Sequence, residues 1–334
     1  MKALLSRRPG GPETLRLEEI PEPSAGRGEV RVAVRACAVN YPDFLVIQDL
    51  YQFKPPRPFA PGSEVAGIVD AVGPEVDNVR IGDRVLLSPA RGGMAEKIVG
   101  QANHCWKIPH SMPFEEAAAL LMTYGTSQHA LVDRAQLEAG ETLLVLGAGG
   151  GVGLAAVELG RVLGARIVAA ASSAEKLALA RERGAQECVE YPAGPLDKSA
   201  ARSLTDRFKA ACGADGAQVI YDAVGGDYTE AAIRAIAWEG RHLVIGFPAG
   251  IAKLPLNLPL LKGCQVIGVF WGEFTTRHPA QHAANVAALM SWYAQGRIRP
   301  AVTERFPLAR GGEAIARLAT RAARGKLVVL IGGE

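Results

Sequence analysis

Val30–Ala36, read as VRVAVRA, alternates apolar and polar residues as a half-buried strand does. Val65–Val72 and Arg84–Leu87 have the same texture, punctuated by Gly62, Gly67, Gly73 and Gly82. Short strands with frequent turns predict a β-rich first part, partly closed like a barrel. Lys54–Pro61 is proline-rich and reads as a loop. From about Pro113 the period lengthens, and Phe114–Met122 and Ser127–Arg134 read as helices. Strand and helix then alternate through Thr142–Leu146, Gly153–Leu163, Arg166–Ala170, Ala174–Arg183, Val219–Asp222, Asp227–Ile236 and Arg241–Gly246. That alternation predicts βαβ units and a parallel sheet with helices on both faces. After Leu261 come a strand at Gln265–Phe270, a helix at Gln281–Gln295 and a last strand at Lys326–Ile331. The expected organisation is an α/β chain with a nucleotide domain at 123–261. It is inserted in a second domain built from 1–122 and 262–334.

The turn after Thr142–Leu146 carries the most chemistry. Leu143–Leu146 lead into five glycines among the seven residues Gly147–Gly153, and a helical pattern follows at once. A buried strand turning sharply into a helix aims free backbone N–H groups and the positive helix end at a phosphate. A strict GxGxxG fails in both frames: Val152 stands sixth from Gly147, and Ala148 stands first in the frame holding Gly150 and Gly153. The strand before and the helix after supply the context that a lone glycine motif lacks. The tip of the next strand reads AAASSAEK, Ala169–Lys176. No acid stands between the strand and the helix that starts at Ala174 to accept a ribose 2′-hydroxyl. Ser172, Ser173 and Lys176 suit a 2′-phosphate, which an acid would repel, so the pattern favours NADPH over NADH. Ser172 or Ser173 also reads as a helix N-cap, a role compatible with phosphate binding.

The 334 residues, 49% hydrophobic and 21% charged, fit a globular protein of about two domains. A net charge of +3 without a long Lys/Arg run gives nucleic-acid binding no support. Cys37, Cys105, Cys188, Cys212 and Cys264 are dispersed without a CxxC pair, which argues against a disulfide framework and a clustered zinc site. MKALLSRRPGGPE has no long apolar run, and no stretch approaches ~18 uninterrupted apolar residues. A cytoplasmic, reducing setting without membrane insertion is expected.

Several further segments converge on one family. They are Asn40–Asp43, PGSEVAGIV (Pro61–Val69), Gly82–Val85, GGMAE (Gly92–Glu96) and TYGTSQHAL (Thr123–Leu131). GAGGGVGLAAVELGRVLGA (Gly147–Ala165), YDAVGG (Tyr221–Gly226), GRHLVIGF (Gly240–Phe247), VIGVFWG (Val266–Gly272) and Gly325-Lys326 complete the set. With them the chain resembles, over essentially its whole length, the zinc-free quinone oxidoreductases. These are relatives of zeta-crystallin in the medium-chain dehydrogenase/reductase superfamily. The resemblance implies a GroES-like, partly closed β-barrel domain beside a Rossmann doubly wound domain, with NADPH in the cleft between them. It implies Asn40 and Thr126 near the nicotinamide and Gly150, Gly151 and Val152 at the pyrophosphate. Ser172, Lys176 and Tyr191 match positions around the 2′-phosphate, with Ser173 beside them. Gly246, Phe247, Phe270, Trp271 and Gly272 match segments flanking the nicotinamide ribose and ring. Lys326 matches a lysine near the cofactor phosphates. A homodimer is implied, with Val266–Phe270 a candidate for edge-strand pairing; an internal strand buried in the monomer explains that hydrophobic run equally well.

Zinc-bearing alcohol dehydrogenases of the superfamily carry a Gly-His-Glu motif, where this chain reads Gly62-Ser63-Glu64. The expected cysteine is absent from Val39–Asp43, and the four-cysteine lobe is missing between Leu87 and Met94. The pairs His104/Cys105 and His278/His282 fall short of a tetrahedral ligand set and read as surface histidines. No metal is expected. Without a Lewis acid, acceptors that take hydride readily become the natural substrates: quinones, enones and enals. Tyr41 is the candidate hydrogen-bond donor or proton source, with Asn40 beside it and Tyr51 lining the pocket; Asp43 reads as positioning its loop. An enone, enal or enoyl-thioester reductase remains an alternative. So does an NADPH-binding protein with a structural or RNA-binding role.

Overall fold

The alternating segments form strands, and in the first unit their register gathers one cluster of polar residues. The computed structural model describes residues 1–332. The chain divides into a unit of residues 1–122 with those from Pro300 onward, and a second unit, Thr123–Arg299. In the first, β1 (Lys2–Leu5) pairs antiparallel with β2 (Arg16–Glu19). β3 (Glu29–Ala38) buries every second residue from Val30 to Val34 and then Ala36–Ala38 without a break. The helix α1 (Tyr41–Val46) follows, then β4 (Val65–Val72), β5 (Arg84–Leu87), β6 (Lys97–Gln101), β7 (Cys105–Lys107) and α2 (Phe114–Ala118). β3 pairs antiparallel with β4, with β6 and with the closing strand Lys326–Leu330. Cys37 lies opposite Val65 and Ala38 opposite Val328. The end of β3 and the starts of β4 and the closing strand therefore meet, carrying Asn40, Glu64 and Lys326.

The second unit opens with helical turns around α3 (Thr126–Gln128). Six strands then alternate with helices. They run β8 (Thr142–Leu146), α4 (Gly151–Val162), β9 (Arg166–Ala171), α5 (Ala174–Glu182), β10 (Glu187–Glu190) and α6 (Lys198–Cys212). They continue with β11 (Ala217–Asp222), α7 (Asp227–Ile233), β12 (Ile236–Val244), α8 (Asn257–Lys262) and β13 (Gln265–Gly268). All neighbours are parallel, in the order β10-β9-β8-β11-β12-β13. This is the doubly wound order of dinucleotide-binding sheets, whose chain direction switches between β8 and β11. Every residue of β8 is buried, as a central parallel strand requires. The helices α9 (Trp271–Arg277) and α10 (Pro279–Ala294) complete the unit.

Three expectations are corrected. The chain returns to the first unit at Pro300, and not after Leu261. Residues 262–299 stay with the second unit because β13 continues its parallel sheet beside β12. The segments read as helices at Phe114–Met122 and Ser127–Arg134 are regular only over α2 and α3. Wider π-type turns occupy Leu121–Gly125 and His129–Arg134, as the Ala135 N–H to Ala130 carbonyl bond illustrates. His282 is buried against Trp271 and Phe274, so only His278 of that pair lies at the surface. Among the described residues no helix is long and apolar enough to cross a membrane.

Candidate functional site

In the second unit, the glycines divide the work of the turn expected to receive a phosphate. Gly147 ends β8 in the left-handed region at φ +75°, which turns the chain sharply. Gly150 is the N-cap of α4, and the helix-type bond from Leu154 N–H to Gly150 O leaves the N–H groups of Gly151, Val152 and Gly153 without intrahelical partners. Gly153 sits where a Cβ would run into the Gly147 carbonyl, so α4 packs directly on the β8 turn. The working frame is therefore the one headed by Ala148. Its first position is filled by a small residue, while Gly147 just before it makes the turn. Ser127 Oγ donates to Val152 O at 3.1 Å, and so its single proton is taken; the Tyr221 hydroxyl then donates to Ser127 at 2.8 Å. This pair holds Thr126, the neighbour of Ser127, beside the turn.

The tip of β9 brings Ser172, Ser173 and Lys176 together. Ser173 caps α5 by accepting the Lys176 backbone N–H at 3.4 Å. Lys176 Nζ donates to Ser172 Oγ at 3.3 Å. The lysine stem crosses Gly149, whose missing Cβ would lie 2.7 Å from Lys176 Cγ. Cap and cation are thus one structure next to the phosphate turn. Tyr191 follows β10 with its N–H on Ala171 O at 3.0 Å, but its ring is buried on Tyr228, centroids 4.9 Å apart. Gly246 and Phe247 lie just beyond β12, where the turn at Gly225 packs on Phe247. Phe270 is exposed, whereas Trp271 is buried on Gly125 and His282; Gly272 is exposed.

In the first unit the candidate residues are wired into one another. Asn40 caps α1, and Asp43 accepts the Asn40 N–H at 2.8 Å and the Gly62 N–H at 3.0 Å through its two oxygens. Burial pushes the Asp43 carboxyl up to about 6 despite these bonds. Lys326 Nζ donates to Asn40 Oδ1 at 2.6 Å, to Val39 O at 3.3 Å and to Glu64 Oε2 at 3.5 Å. Asn40 Nδ2 donates to Glu64 Oε2 at 3.1 Å, and Glu64 Oε1 accepts the Met122 N–H at 2.9 Å. Lys326 is only 4% exposed, and all three of its donors are engaged. Within the chain it is a buried partner of Asn40 and Glu64. Tyr41 is the first residue of α1, half-buried, its ring 6.0 Å from that of Phe44. Tyr51 is partly buried in the following loop, and burial raises its phenol pKa. The Ser63 hydroxyl is buried and unpartnered among the described residues.

Sequence reasoning passed over three residues. Glu64 stands out in the sequence through its segment and its serine neighbour, with no sign of a buried partner. Ser127 gave no local sign of reaching Val152. Asp222, at the end of β11, accepts the N–H groups of Val224 and Gly225 at 2.9 Å each and so shapes the turn facing Gly147.

Comparison with known proteins decides the family. The model for a zinc-binding dehydrogenase matches residues 151–290, and that for an alcohol dehydrogenase GroES-like domain matches 26–136. Quinone oxidoreductase-like protein 2 of Bos taurus is 37% identical, covering 94% of this chain and 88% of its own. The chain belongs to the quinone oxidoreductase family of the medium-chain dehydrogenase/reductase superfamily. It is an oxidoreductase fold of GroES-like and Rossmann-like parts. An Escherichia coli quinone oxidoreductase solved with NADPH superposes with TM-score 0.90 at 26% identity, over 99% of this chain and 100% of that one. A mycobacterial protein, also solved with NADPH, gives 0.90 at 30% identity over 99% of both chains.

Proposed function

We propose that this chain is a zinc-independent reductase that uses NADPH to reduce a quinone or similar conjugated carbonyl compound. The observation that carries the reading is the acid-free β9 tip, where Ser172, Ser173 and Lys176 converge beside the Gly149 turn. A serine hydroxyl and an ammonium suit a 2′-phosphate, and the structural neighbours solved with NADPH support that choice. The residues fit the rest of the cofactor too. The N–H groups of Gly151 and Val152 would receive the pyrophosphate at the α4 terminus. Tyr191 would border the adenosine phosphate. Thr126, Gly246, Phe247, Phe270, Trp271 and Gly272 would flank the nicotinamide ribose and ring.

NADPH, when bound, supplies the hydride. Asn40 and Tyr41 then orient the acceptor by hydrogen bonds to its carbonyl oxygen, where negative charge develops. Tyr41 serves as the donor or proton source, and Tyr51 lines the acceptor pocket. Zinc-independence is supported by the donor set. Ser63 stands where zinc-bearing relatives place histidine, and no group of three or more His, Cys, Asp or Glu side chains converges among the described residues. Among the described residues β13 is an edge strand of its sheet, and this edge, with Val266 47% exposed, supports a homodimer through edge-strand pairing. The free thiols suit a reducing, cytoplasmic setting.

The test is a panel of quinones, enones, enals and enoyl thioesters, each offered with NADPH and with NADH. Faster turnover with NADPH on a quinone is expected. Equal use of both cofactors removes the NADPH assignment. A reduced C=C bond as the main product moves the assignment to an enone or enoyl-thioester reductase.

A further inference from the structure

The buried Lys326–Glu64 pair has a geometry beyond that of a structural ion pair. We propose that it is a positioning device that fixes the orientation of the Asn40 side-chain amide. Asn40 then presents a hydrogen-bond donor, and never an acceptor, to the molecule bound beside it. This deepens the proposed reduction of a carbonyl acceptor and rests on it.

An asparagine amide has a carbonyl end and an NH2 end of nearly equal size, and its two orientations differ only in their hydrogen bonds. Here both ends face full charges. Oδ1 lies 2.6 Å from the Lys326 ammonium, and Nδ2 lies 3.1 Å from a Glu64 carboxylate oxygen. Turning the amide over would set NH2 against ammonium and carbonyl against carboxylate. Both contacts would become repulsive where all three side chains are buried. Charge-assisted bonds are roughly twice as strong as neutral ones, so the bias is large. The charged groups are themselves held. Lys326 also bonds Val39 O, Glu64 also accepts the Met122 N–H, and Asp43 fixes the Asn40 backbone.

The NH2 group carries two hydrogens. Glu64 takes one, and no other described residue accepts the second. The ammonium on Oδ1 polarises the amide and strengthens this spare donor. It fits a carbonyl oxygen: that of the acceptor or that of the nicotinamide carboxamide. A partner offering only a hydroxyl proton would find no acceptor here.

The experiment compares wild type with Lys326→Met, Glu64→Gln and the double variant, all as the full chain. The double variant removes the ammonium and the Glu64 carboxylate together, so neither is left without the other, and its glutamine can bond either orientation of the amide. The first readout, which needs no cofactor, is hydrogen exchange of the Asn40 side-chain NH2 in 15N spectra, assigned with Asn40→Asp. One slowly exchanging proton is expected in wild type, with exchange at least 10-fold faster in the double variant. The second readout is kinetic. The double variant should recover the melting temperature lost by the single variants, yet keep kcat at least 10-fold below wild type. An unchanged NADPH Kd assigns the spare N–H to the acceptor oxygen. A Kd weakened in parallel with kcat assigns it to the carboxamide. Wild-type exchange and wild-type kcat in the double variant overturn the inference. If wild type turns over no acceptor, the proposed function fails, and the exchange measurement alone judges the amide orientation.

Discussion

Gly150 and Gly153 are three residues apart on one turn, yet alanine at each should fail for a different reason. At Gly153 a Cβ would meet the Gly147 carbonyl and lie 2.7 Å from its carbon and 2.8 Å from Ala148 Cα. Carbon atoms pack at about 3.5–4.0 Å, so the turn and helix must part by roughly 1 Å. Both partners are backbone, which cannot swing aside as a side chain does. Overpacking of this kind costs about 1–3 kcal/mol, and the rigid partners put Gly153→Ala at the upper end. In a unit of this size that is about 6–12 °C of melting temperature. At Gly150 the nearest atom to a Cβ is Gly147 O at 3.5 Å, an ordinary contact, and φ is −89°. Gly150→Ala should keep stability within about 0.5 kcal/mol of wild type. Its methyl instead stands where the pyrophosphate must approach, and NADPH should bind at least ~10-fold more weakly, a loss of ~1.4 kcal/mol. Chemical denaturation and fluorescence titration with NADPH read the two effects separately. Wild-type NADPH affinity in Gly150→Ala would refute the placement of the phosphate on this turn. Wild-type stability in Gly153→Ala would refute the close packing of α4 on β8.

Lys176→Ala should raise the KM for NADPH about 10–100-fold, the loss of one charge-assisted bond, and leave the KM for NADH nearly unchanged; equal effects on both would place Lys176 away from the 2′-phosphate. Tyr41→Phe should lower kcat by roughly 100-fold with NADPH affinity intact, and unchanged turnover removes Tyr41 from the chemistry. Asp43 has its folded pKa raised from 3.8 to about 6 by burial, so the folded state binds the proton more tightly than the unfolded chain. Its contribution to stability therefore falls as pH rises from about 4 to about 6 and is flat above; denaturation of wild type against Asp43→Asn should show that slope only in wild type. Val266→Lys should convert a sedimenting dimer to monomer by placing a charge on the β13 edge, and a monomeric wild type would sink the dimer proposal.

Local pattern made some elements legible to the residue. β4, β5 and β8 begin and end where apolar periodicity and turn glycines predict, because each is set by its own face and flanks. The β9 tip was equally readable, since Ser172, Ser173 and Lys176 lie within one turn of chain. The π-type turns around α3 were not, because their apolar residues fit a regular helix as well. Nor was the place of β13, whose four residues carry no sign of which unit's sheet they join. Phe270 and Trp271 are neighbours of like character, yet one is exposed and the other buried; the packing of Trp271 on Gly125 and His282 separates them. The pairing of Lys326 was hidden for the same reason. Its partners Asn40 and Glu64 lie 286 and 262 residues away in sequence, and no local pattern reports such a pairing.

The two units handle charge in opposite ways. On the proposed reading, the turn at Gly147–Gly153 would receive an anion by removing side chains, so that backbone N–H groups and the α4 terminus face it directly. The Asn40 cluster instead buries a carboxylate and compensates it with a fixed ammonium. Glu64 is the acid of the Gly-Ser-Glu segment, and its serine neighbour takes the place of a metal-binding histidine in zinc-bearing relatives. A divalent ion beside such a carboxylate both balances charge and offers a vacant coordination position to a substrate oxygen. Lys326 can do only the first. Its three donors are engaged by Val39, Asn40 and Glu64, so on the proposed reading its influence passes through the Asn40 amide. A polarised amide N–H and a tyrosine hydroxyl stabilise developing negative charge less than a Lewis acid does. They suffice when the acceptor delocalises that charge itself, as a quinone or enone does. The restriction to conjugated acceptors, on the proposed reading, is thus a consequence of how the buried charge of Glu64 is neutralised.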